Sequence, residues 1–335
     1  MARWPPRRAT GHGITGYENV LQRNNTGLKF DDVFQDWLIA NILNDPSLDK
    51  RFGYKDLRTK PIAQSTAGSL PWKKNLEVSE YAAQYIDIKA PSRAGDYTLS
   101  LQGATGVKIA NADPHSGKYV WYSNRGDDSD MTLTHAFDLS GLTRATLSAW
   151  VWYDIEKDFD YGFVEVSSDN GATWDTLKGQ HTVDTNPNGT NYGNGYTGRD
   201  SKWYQENFDL SKYAGKRILA RFEYITDDAF NATGMLVDDI SIPELNYSDS
   251  VENGDGGWQA DGFVRVNNFL PQKYSVQLIR FGARTTVERI TLDAGNSAQV
   301  SLKNFGGDLS RAILVISGLT PVTTETTPFD VSIAP

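Results

Sequence analysis

The alternating run from Ala145 to Ile155 constrains the fold of this chain more than any other stretch. It reads ATLSAWVWYDI, with Leu147, Ala149, Val151, Tyr153 and Ile155 on one face and Thr146, Ser148, Trp150, Trp152 and Asp154 on the other. A period of two is typical of a β-strand, because successive side chains point to opposite sides of the sheet. After an acidic turn the chain returns through residues 161–167, and SSDNGATW supplies the turn residues of a hairpin. The stretch predicts β-structure with one buried face.

A repeated tetrapeptide extends this prediction to the middle of the chain. FDLS occurs at residues 137–140 and again at 208–211, each time ahead of an alternating run. Because each strand buries only one face and needs a partner layer, such a duplicated unit favours two facing sheets. We therefore predict a β-sandwich here, with a long polar loop between Lys178 and Lys202.

The N-terminal region has helical patterns. The sequence TGYE at residues 15–18 predicts a capping box for a short helix, and FDDVFQDWLIANIL at residues 30–43 has a broad apolar stripe at helical spacing. Two helices alone have too little core for an independent domain, so we interpret them as the tail of something larger. Disorder is expected for residues 1–12, and an extended connector for residues 51–75.

Short alternating runs return from Trp258 to Pro335, separated by Gly, Asn and Asp. They predict a second, smaller β-sandwich. The predicted fold class is mainly β, with two sandwiches and a short N-terminal helical remnant. The predicted domains are residues 1–75, 76–246 and 247–335.

Charge and composition exclude several classes of partner. The net charge of -9 argues against nucleic acid, since phosphate binding relies on clustered Lys and Arg. No stretch approaches the roughly 18 consecutive apolar residues of a membrane span, so none is expected, and the first residues lack the apolar run of a secretory signal. The chain has no cysteine, so no disulfide contributes to its stability.

Catalytic motifs are missing from the sequence. None of the four histidines has the spacing of an HExxH zinc motif, and nucleophile elbows, phosphate-binding loops and dinucleotide fingerprints are also missing. We therefore expect no catalytic residues and no zinc in this chain. The acidic residues Asp154, Glu156, Asp158 and Asp160 could supply the paired carboxylates of a glycosidase, but acids on a β-turn are more often solvated.

Calcium is the cofactor that the sequence favours. Asp127, Asp128 and Asp130 share one loop, and Asp238, followed by Asp239, falls on the same predicted strand face as apolar residues. An unpaired carboxylate there would be costly, and a hard cation with six to eight oxygen ligands would neutralise both groups at once. The alternative is that Asp238 accepts backbone N–H groups and that the loop acids face water.

A turn motif and a set of aromatic residues each have a structural and a functional interpretation. The sequence SSDNGATW at residues 167–174 matches an Asp-box hairpin, as found in sialidases, and we interpret it as a structural turn. Several strand aromatics, with Trp203, Tyr204 and Trp152 the candidate binding residues, could line a sugar-binding face. Aromatic residues on sandwich strands are more often core.

The same residues resemble a known family. The stretches from WYSNRGDDSD to NGATW, from WYQENFDLS to FEYITDD, and GMLVDDISIPEL are similar to the jelly-roll, MAM-like module of immune inhibitor A type secreted metallopeptidases. The segment FDDVFQDWLIANILNDPSLDKRFGYKDL resembles the end of the helical subdomain that follows the zinc site in those enzymes, and the C-terminal region resembles their trailing β-domain.

The resemblance implies an accessory role without catalysis. Such enzymes hydrolyse peptide bonds with zinc held by HExxH, a motif that this chain lacks. The implied function is an extracellular, calcium-stabilised accessory and binding region of a metallopeptidase, with the missing peptidase domain as its partner. The alternative is a free-standing module that binds carbohydrate or cell-surface proteins.

Overall fold

The computed structural model describes residues 13–58 and 62–335, apart from the side chain of Ser201. The expected disorder of residues 1–12 therefore lies outside the described residues. Several β-sheets and two α-helices form the described structure, which confirms the predicted mainly β fold with a short helical N-terminal region. The described residues divide into two compact units: unit 1 comprises those up to residue 107 together with residues 271–335, and unit 2 comprises residues 108–270.

The elements are numbered along the chain. The helices are α1 (Gly13–Arg23) and α2 (Phe30–Leu43). The first strands are β1 (Ser65–Ala67), β2 (Trp72–Val78), β3 (Gln84–Lys89), β4 (Gly95–Gly103) and β5 (Gly106–Val107). Unit 2 contains β6 (Val120–Tyr122), β7 (Asp130–Asp138), β8 (Thr146–Asp154), β9 (Tyr161–Ser167), β10 (Asp175–Thr176), β11 (Gly195–Tyr196), β12 (Arg199–Asp209), β13 (Arg217–Ile225), β14 (Gly234–Ile242), β15 (Tyr247–Asp249), β16 (Gln259–Asp261) and β17 (Val264–Val266). The remaining strands are β18 (Leu270–Pro271), β19 (Tyr274–Phe281), β20 (Thr285–Arg289), β21 (Ser297–Phe305), β22 (Arg311–Gly318) and β23 (Thr327–Ala334).

Both predicted helices are present. Helix α1 begins at Gly13, two residues before Thr15, so Thr15 lies inside the helix and does not cap it. Helix α2 has the predicted bounds: the Lys29 amide donates to the Asp32 carboxylate at 3.1 Å at its start, and Asn44 ends it in the left-handed conformation. Asparagine tolerates that conformation better than most residues, which is why the helix stops there.

Unit 1 has a sandwich core and a helical layer. One sheet has the order β1-β3-β22-β19-β20 and the other β2-β23-β4-β21. Their inner faces share one apolar cluster, in which Ile86 and Leu314 meet Leu101 and Val331. On the other face of the first sheet, Ile39 of α2 belongs to a second cluster with Tyr85, Ile279 and Ile313. Helix α2, interpreted from sequence as part of the tail of something larger, thus covers a sheet of this unit.

Unit 2 is a second sandwich. Its sheets have the orders β10-β9-β13-β7-β16 and β12-β8-β14-β6-β17. The residues that alternate inward on β8, such as Leu147 and Val151, share one core with Phe222 and Val164 of the opposite sheet. Neighbouring strands in each sheet are mostly distant in sequence, so the chain crosses repeatedly between the two layers, as Greek-key and jelly-roll sandwiches do.

The observed units differ from the domain ranges expected from sequence. The sequence assigned strands β3 and β4 to the first sandwich. In the structure, β3 pairs with β22, and β4 pairs with β21 and β23 near the C-terminus. Conversely, β16 and β17 follow the expected boundary at residue 246 but pair with β7 and β6 in unit 2. The physical reason is that an alternating pattern shows which face of a strand is buried but not which strand lies beside it.

The Asp-box turn has the predicted local structure. The Gly171 amide donates to the Ser167 hydroxyl at 2.8 Å, and the Thr173 amide donates to the Asp169 carboxylate at 2.9 Å. Gly171 has a φ of +88°, a conformation that glycine adopts without steric cost. Hydrogen bonds from the Thr173 hydroxyl, the Thr173 amide and the Ser167 hydroxyl lower the pKa of Asp169 to about 2.

Candidate functional site

Strand register in unit 2 brings three loops to one end of the sandwich. Ile225, the last residue of β13, lies opposite Tyr161 at the start of β9 and opposite Asp130 at the start of β7. The loops that precede β7, precede β9 and follow β13 therefore meet at the same end of the sheet. Their residues are acidic, with DD at 127–128, EKDFD at 156–160 and DD at 227–228.

Three carboxylates from two of these loops form a compact cluster. One carboxylate oxygen each of Glu156, Asp160 and Asp227 lies within 4.8 Å of the others. Asp160 is 1% exposed, and it accepts the Asp227 amide at 2.9 Å and the Tyr224 hydroxyl at 3.3 Å. The Oε2 atom of Glu156 is buried and has no hydrogen-bond partner among the described residues.

Burial and the repulsion of neighbouring carboxylates make Asp160 and Glu156 hard to ionise. Burial raises the pKa of Asp160 to about 6, and the neighbouring carboxylates of Asp227 and Glu156 add to the shift. Burial also raises the pKa of Glu156, again with Asp227 and Asp127 as repelling neighbours. Like charges this close disfavour each other's ionised form. A cation among them would remove that repulsion.

The donor set fits a hard cation. Carboxylate oxygens are the ligands that Ca²⁺ and Mg²⁺ prefer, whereas protein zinc sites generally include histidine or cysteine. The unpartnered Glu156 oxygen is the feature of this structure that a bound cation would explain, since a buried acceptor without a donor is costly. Glu156, Asp160 and Asp227 are therefore the residues that could hold calcium.

The predicted ligand loop lies beside this cluster. Asp128 has a φ of +48°, and its amide donates to the Asp227 carbonyl at 2.6 Å. Asp127 accepts a hydrogen bond from the Asn231 side chain and repels the carboxylate of Glu156. Asp130 is an exposed residue that raises the pKa of Glu223 as one of several causes, after burial. The structure thus brings Asp127 and Asp128 close to the cluster and directs Asp130 elsewhere.

Asp238 and Asp239 lie further along β14. Gly234, at the start of that strand, packs against Asn124, and Asp238 is four residues beyond it, about 13 Å at about 3.3 Å per residue. The shared ion that the sequence predicted for Asp128 and Asp238 stays a prediction. Asp238 is fully buried and accepts the Asp239 amide at 2.8 Å and the Ser116 amide at 3.2 Å, which is the alternative that the sequence left open. Burial raises its pKa to about 6.

The candidate binding aromatics have different surroundings. Trp152 is 3% exposed and packs in an apolar cluster with Tyr122 and Leu236. Tyr204 stacks on His181 with ring centroids 3.7 Å apart. Trp203 donates its indole N–H to the Asp113 carbonyl at 2.9 Å and lies edge-on to His115.

Sequence comparison places this sandwich in a family. The sequence model of the immune inhibitor A-like, MAM domain family matches residues 98–268, slightly more than half of the chain and nearly all of unit 2. The chain belongs to the immune inhibitor A-like family. The resemblance stated from the sequence is confirmed, and the acidic cluster lies inside the matched range.

The immune inhibitor A-like chain has several curated relatives. Immune inhibitor A of Bacillus thuringiensis subsp. alesti is 33% identical over 200 residues, 58% of this chain and 27% of that protein. The pre-pro-metalloprotease PrtV of Vibrio cholerae is 29% identical over 174 residues, 51% of this chain and 18% of that protein. Bacillopeptidase F of Bacillus subtilis is 26% identical over 182 residues, 47% of this chain and 11% of that protein. The chain therefore spans about a quarter or less of the length of these relatives.

A comparison with solved structures and a search for membrane-spanning helices add two further findings. A structure of infectious bursal disease virus, Gx strain, matches with a TM-score of 0.17 and 11% identity over 76% of this chain and 40% of that chain, too low to indicate a shared fold. Among the described residues, no helix has the length and apolarity needed to cross a membrane.

Sequence reasoning did not group the three carboxylates that cluster in this immune inhibitor A-like sandwich. Glu156 and Asp160 were considered only as a glycosidase pair, and Asp227 was not singled out. The available signal was that acidic residues follow β8 and β13 and precede β7 and β9. The sequence pattern alone does not show that these strand ends lie at the same end of the sandwich.

Proposed function

We propose that this chain is a non-catalytic accessory and binding region of an extracellular, immune inhibitor A-like metallopeptidase. The observation that carries the proposal is the family match, which coincides with a compact unit that has its own core. A relative named as a metalloprotease aligns with about half of this chain, and the aligned part is a small fraction of that relative. A module of a larger peptidase is the simplest role consistent with that coverage.

A calcium ion is part of this proposal. It would bind Glu156, Asp160 and Asp227, with Asp127 and Asp128 on the neighbouring loop. The ion would join the loop before β9 to the loop after β13, and so fix one end of the sandwich. Its role would be structural, because its ligands would come from two loops that it holds together and the sequence has no catalytic motif among them.

The absence of catalysis can be tested with a general protease substrate. Purified chain is incubated with casein and zinc, with PrtV from Vibrio cholerae as the positive control. We expect no cleavage by this chain, because its sequence has no HExxH motif to hold zinc. Cleavage that disappears on adding 1,10-phenanthroline would overturn the proposal that the region is non-catalytic.

A further inference from the structure

A polar cleft lies on the outer face of the sheet β12-β8-β14-β6-β17 in unit 2. Its volume is about 720 Å³, within the roughly 300–1,000 Å³ range of small-molecule sites. Trp150 of β8 and Gln205 of β12, which are paired in register, form part of its floor. Both alternate with residues that face away from the cleft, such as Val151 and the fully buried Glu206. Residues 247–256 contribute the opposite wall.

Asp239 is held at the edge of this cleft in an unusual backbone conformation. Its φ is +45°, and it lies where the register of β14 against β8 shifts between Asp238 and Ser241. A non-glycine residue in the left-handed region costs free energy, and bulges of this kind re-aim side chains near functional sites. The carboxylate accepts His115 Nδ1 at 2.6 Å and the Ser116 hydroxyl at 2.8 Å, so its direction is fixed.

An aromatic stack supports the same region. The His115 imidazole lies over the Trp150 indole with ring centroids 3.7 Å apart and planes inclined by 15°. Trp203 meets His115 edge to face at 5.9 Å. Rings packed in this way lose little further freedom when a ligand arrives, which favours binding.

The side chains that line the cleft complement a ligand rich in hydroxyl groups. Its lining includes the exposed amides of Gln205 and Asn253, the hydroxyl of Ser241, and the carboxylates of Asp239 and Asp249. Amides and hydroxyls both donate and accept hydrogen bonds, and carboxylates accept them, so the cleft matches alternating sugar hydroxyls. No lysine or arginine is among the described lining residues, so an anionic ligand would meet two carboxylates without compensation.

We propose that this cleft binds a saccharide that carries no negative charge. The inference does not rest on the peptidase proposal or on calcium, since none of the acidic cluster residues lines the cleft. A lysine-rich peptide would also be attracted to Asp239 and Asp249. The Gln205 and Asn253 amides carry no charge, so they add nothing to the attraction of lysine side chains, whereas each can donate to and accept from a sugar hydroxyl.

Isothermal titration calorimetry on the full chain tests the proposal. The probes are cellotetraose, maltotetraose and chitotetraose, with sialyllactose as the anionic glycan and hexalysine as the cationic peptide. The variants Gln205→Ala and Asn253→Ala each remove one exposed amide from the cleft. Gln299→Ala is the matched control, because Gln299 is also an exposed strand glutamine and lines a polar groove of about 250 Å³ in unit 1. Unchanged melting temperatures show that the variants fold.

The expected result is binding of at least one neutral tetrasaccharide, with sialyllactose weaker. Each cleft variant weakens it by about fivefold, the equivalent of one neutral hydrogen bond, and Gln299→Ala leaves it unchanged. Absence of binding to all three neutral glycans, or binding of hexalysine alone, overturns the proposal. So does glycan binding that survives both cleft variants or is lost in Gln299→Ala.

Discussion

Asp160 shows at the residue scale how burial and neighbours decide what a carboxylate does. Its pKa of about 6 means that the folded chain without a cation binds a proton there more readily than the unfolded chain does. The ionised carboxylate therefore destabilises the fold above pH 6, and that cost is relieved as the pH falls from 6 towards 3.8. A cation would relieve it at neutral pH instead.

Calcium is expected to raise the melting temperature of the chain relative to chelator at pH 7. A ligand that binds only the folded state stabilises it by roughly 2.7 kcal/mol at 100 times its dissociation constant. Asp160→Asn and Asp227→Asn should abolish the shift, because each removes a ligand charge from the cluster. Differential scanning calorimetry of these variants at equal calcium concentrations measures the effect.

The control for this prediction is Asp239→Asn, a residue that the sequence offered as a ligand and that the structure places beside His115. It should keep the full calcium shift. The shift in the wild-type chain should also shrink between pH 7 and pH 5, as protons compete for Asp160. A shift that persists in Asp160→Asn but is lost in Asp239→Asn would place the cation elsewhere.

Helix α2 shows at the element scale that the bounds of a helix can be predicted from sequence when the residues that it packs against cannot. Its bounds were predicted from apolar spacing and from the acidic residues at its start. Its surroundings were not, because Ile39 packs on Ile279 and Ile313, more than 200 residues away. Asp36 reinforces this placement through ion pairs with Arg51 and Arg289, both at 3.0 Å.

The substitution Ile39→Ala should therefore destabilise unit 1. Ile39 is fully buried, and removing a buried isoleucine side chain costs about 2–5 kcal/mol. Trp37→Ala on the same helix is the comparison, since Trp37 is 49% exposed and its loss should cost much less. Urea unfolding measures both. Equal and small effects would mean that α2 does not contribute to the core of this unit.

The two units show at the scale of the whole molecule that one compact unit can be built from segments that are far apart in the sequence. Unit 1 takes strands from both ends of the chain, whereas unit 2 is continuous from residue 108 to residue 270. Within unit 2, β16 and β17 complete the two sheets although they follow the boundary expected at residue 246. A fragment cut at residues 76 and 246 would therefore lose the edge strands β16 and β17 of unit 2, and it would keep β3 and β4 without their partner strands.

We expect a fragment of residues 108–270 to fold and a fragment of residues 76–246 to fail. The first retains both sheets and their shared core. The second carries β3 and β4 without β22 and β23, which exposes apolar faces such as those of Ile86 and Leu101. Near-ultraviolet circular dichroism and the cooperativity of urea unfolding distinguish the two outcomes. Cooperative folding of residues 76–246 would contradict the assignment of these strands.

The sequence by itself determined the local structure and the family. The period of two in residues 145–155 placed Leu147 and Val151 in the core, the pattern of residues 30–43 gave α2, and SSDNGATW gave its turn. These features depend on residues that are close together in the sequence, so they can be predicted from the sequence. Only the tertiary structure decided which strand ends meet, and so joined Asp160 to Asp227. The reason is that strand pairing is set by the packing of many distant side chains at once, which no local pattern records.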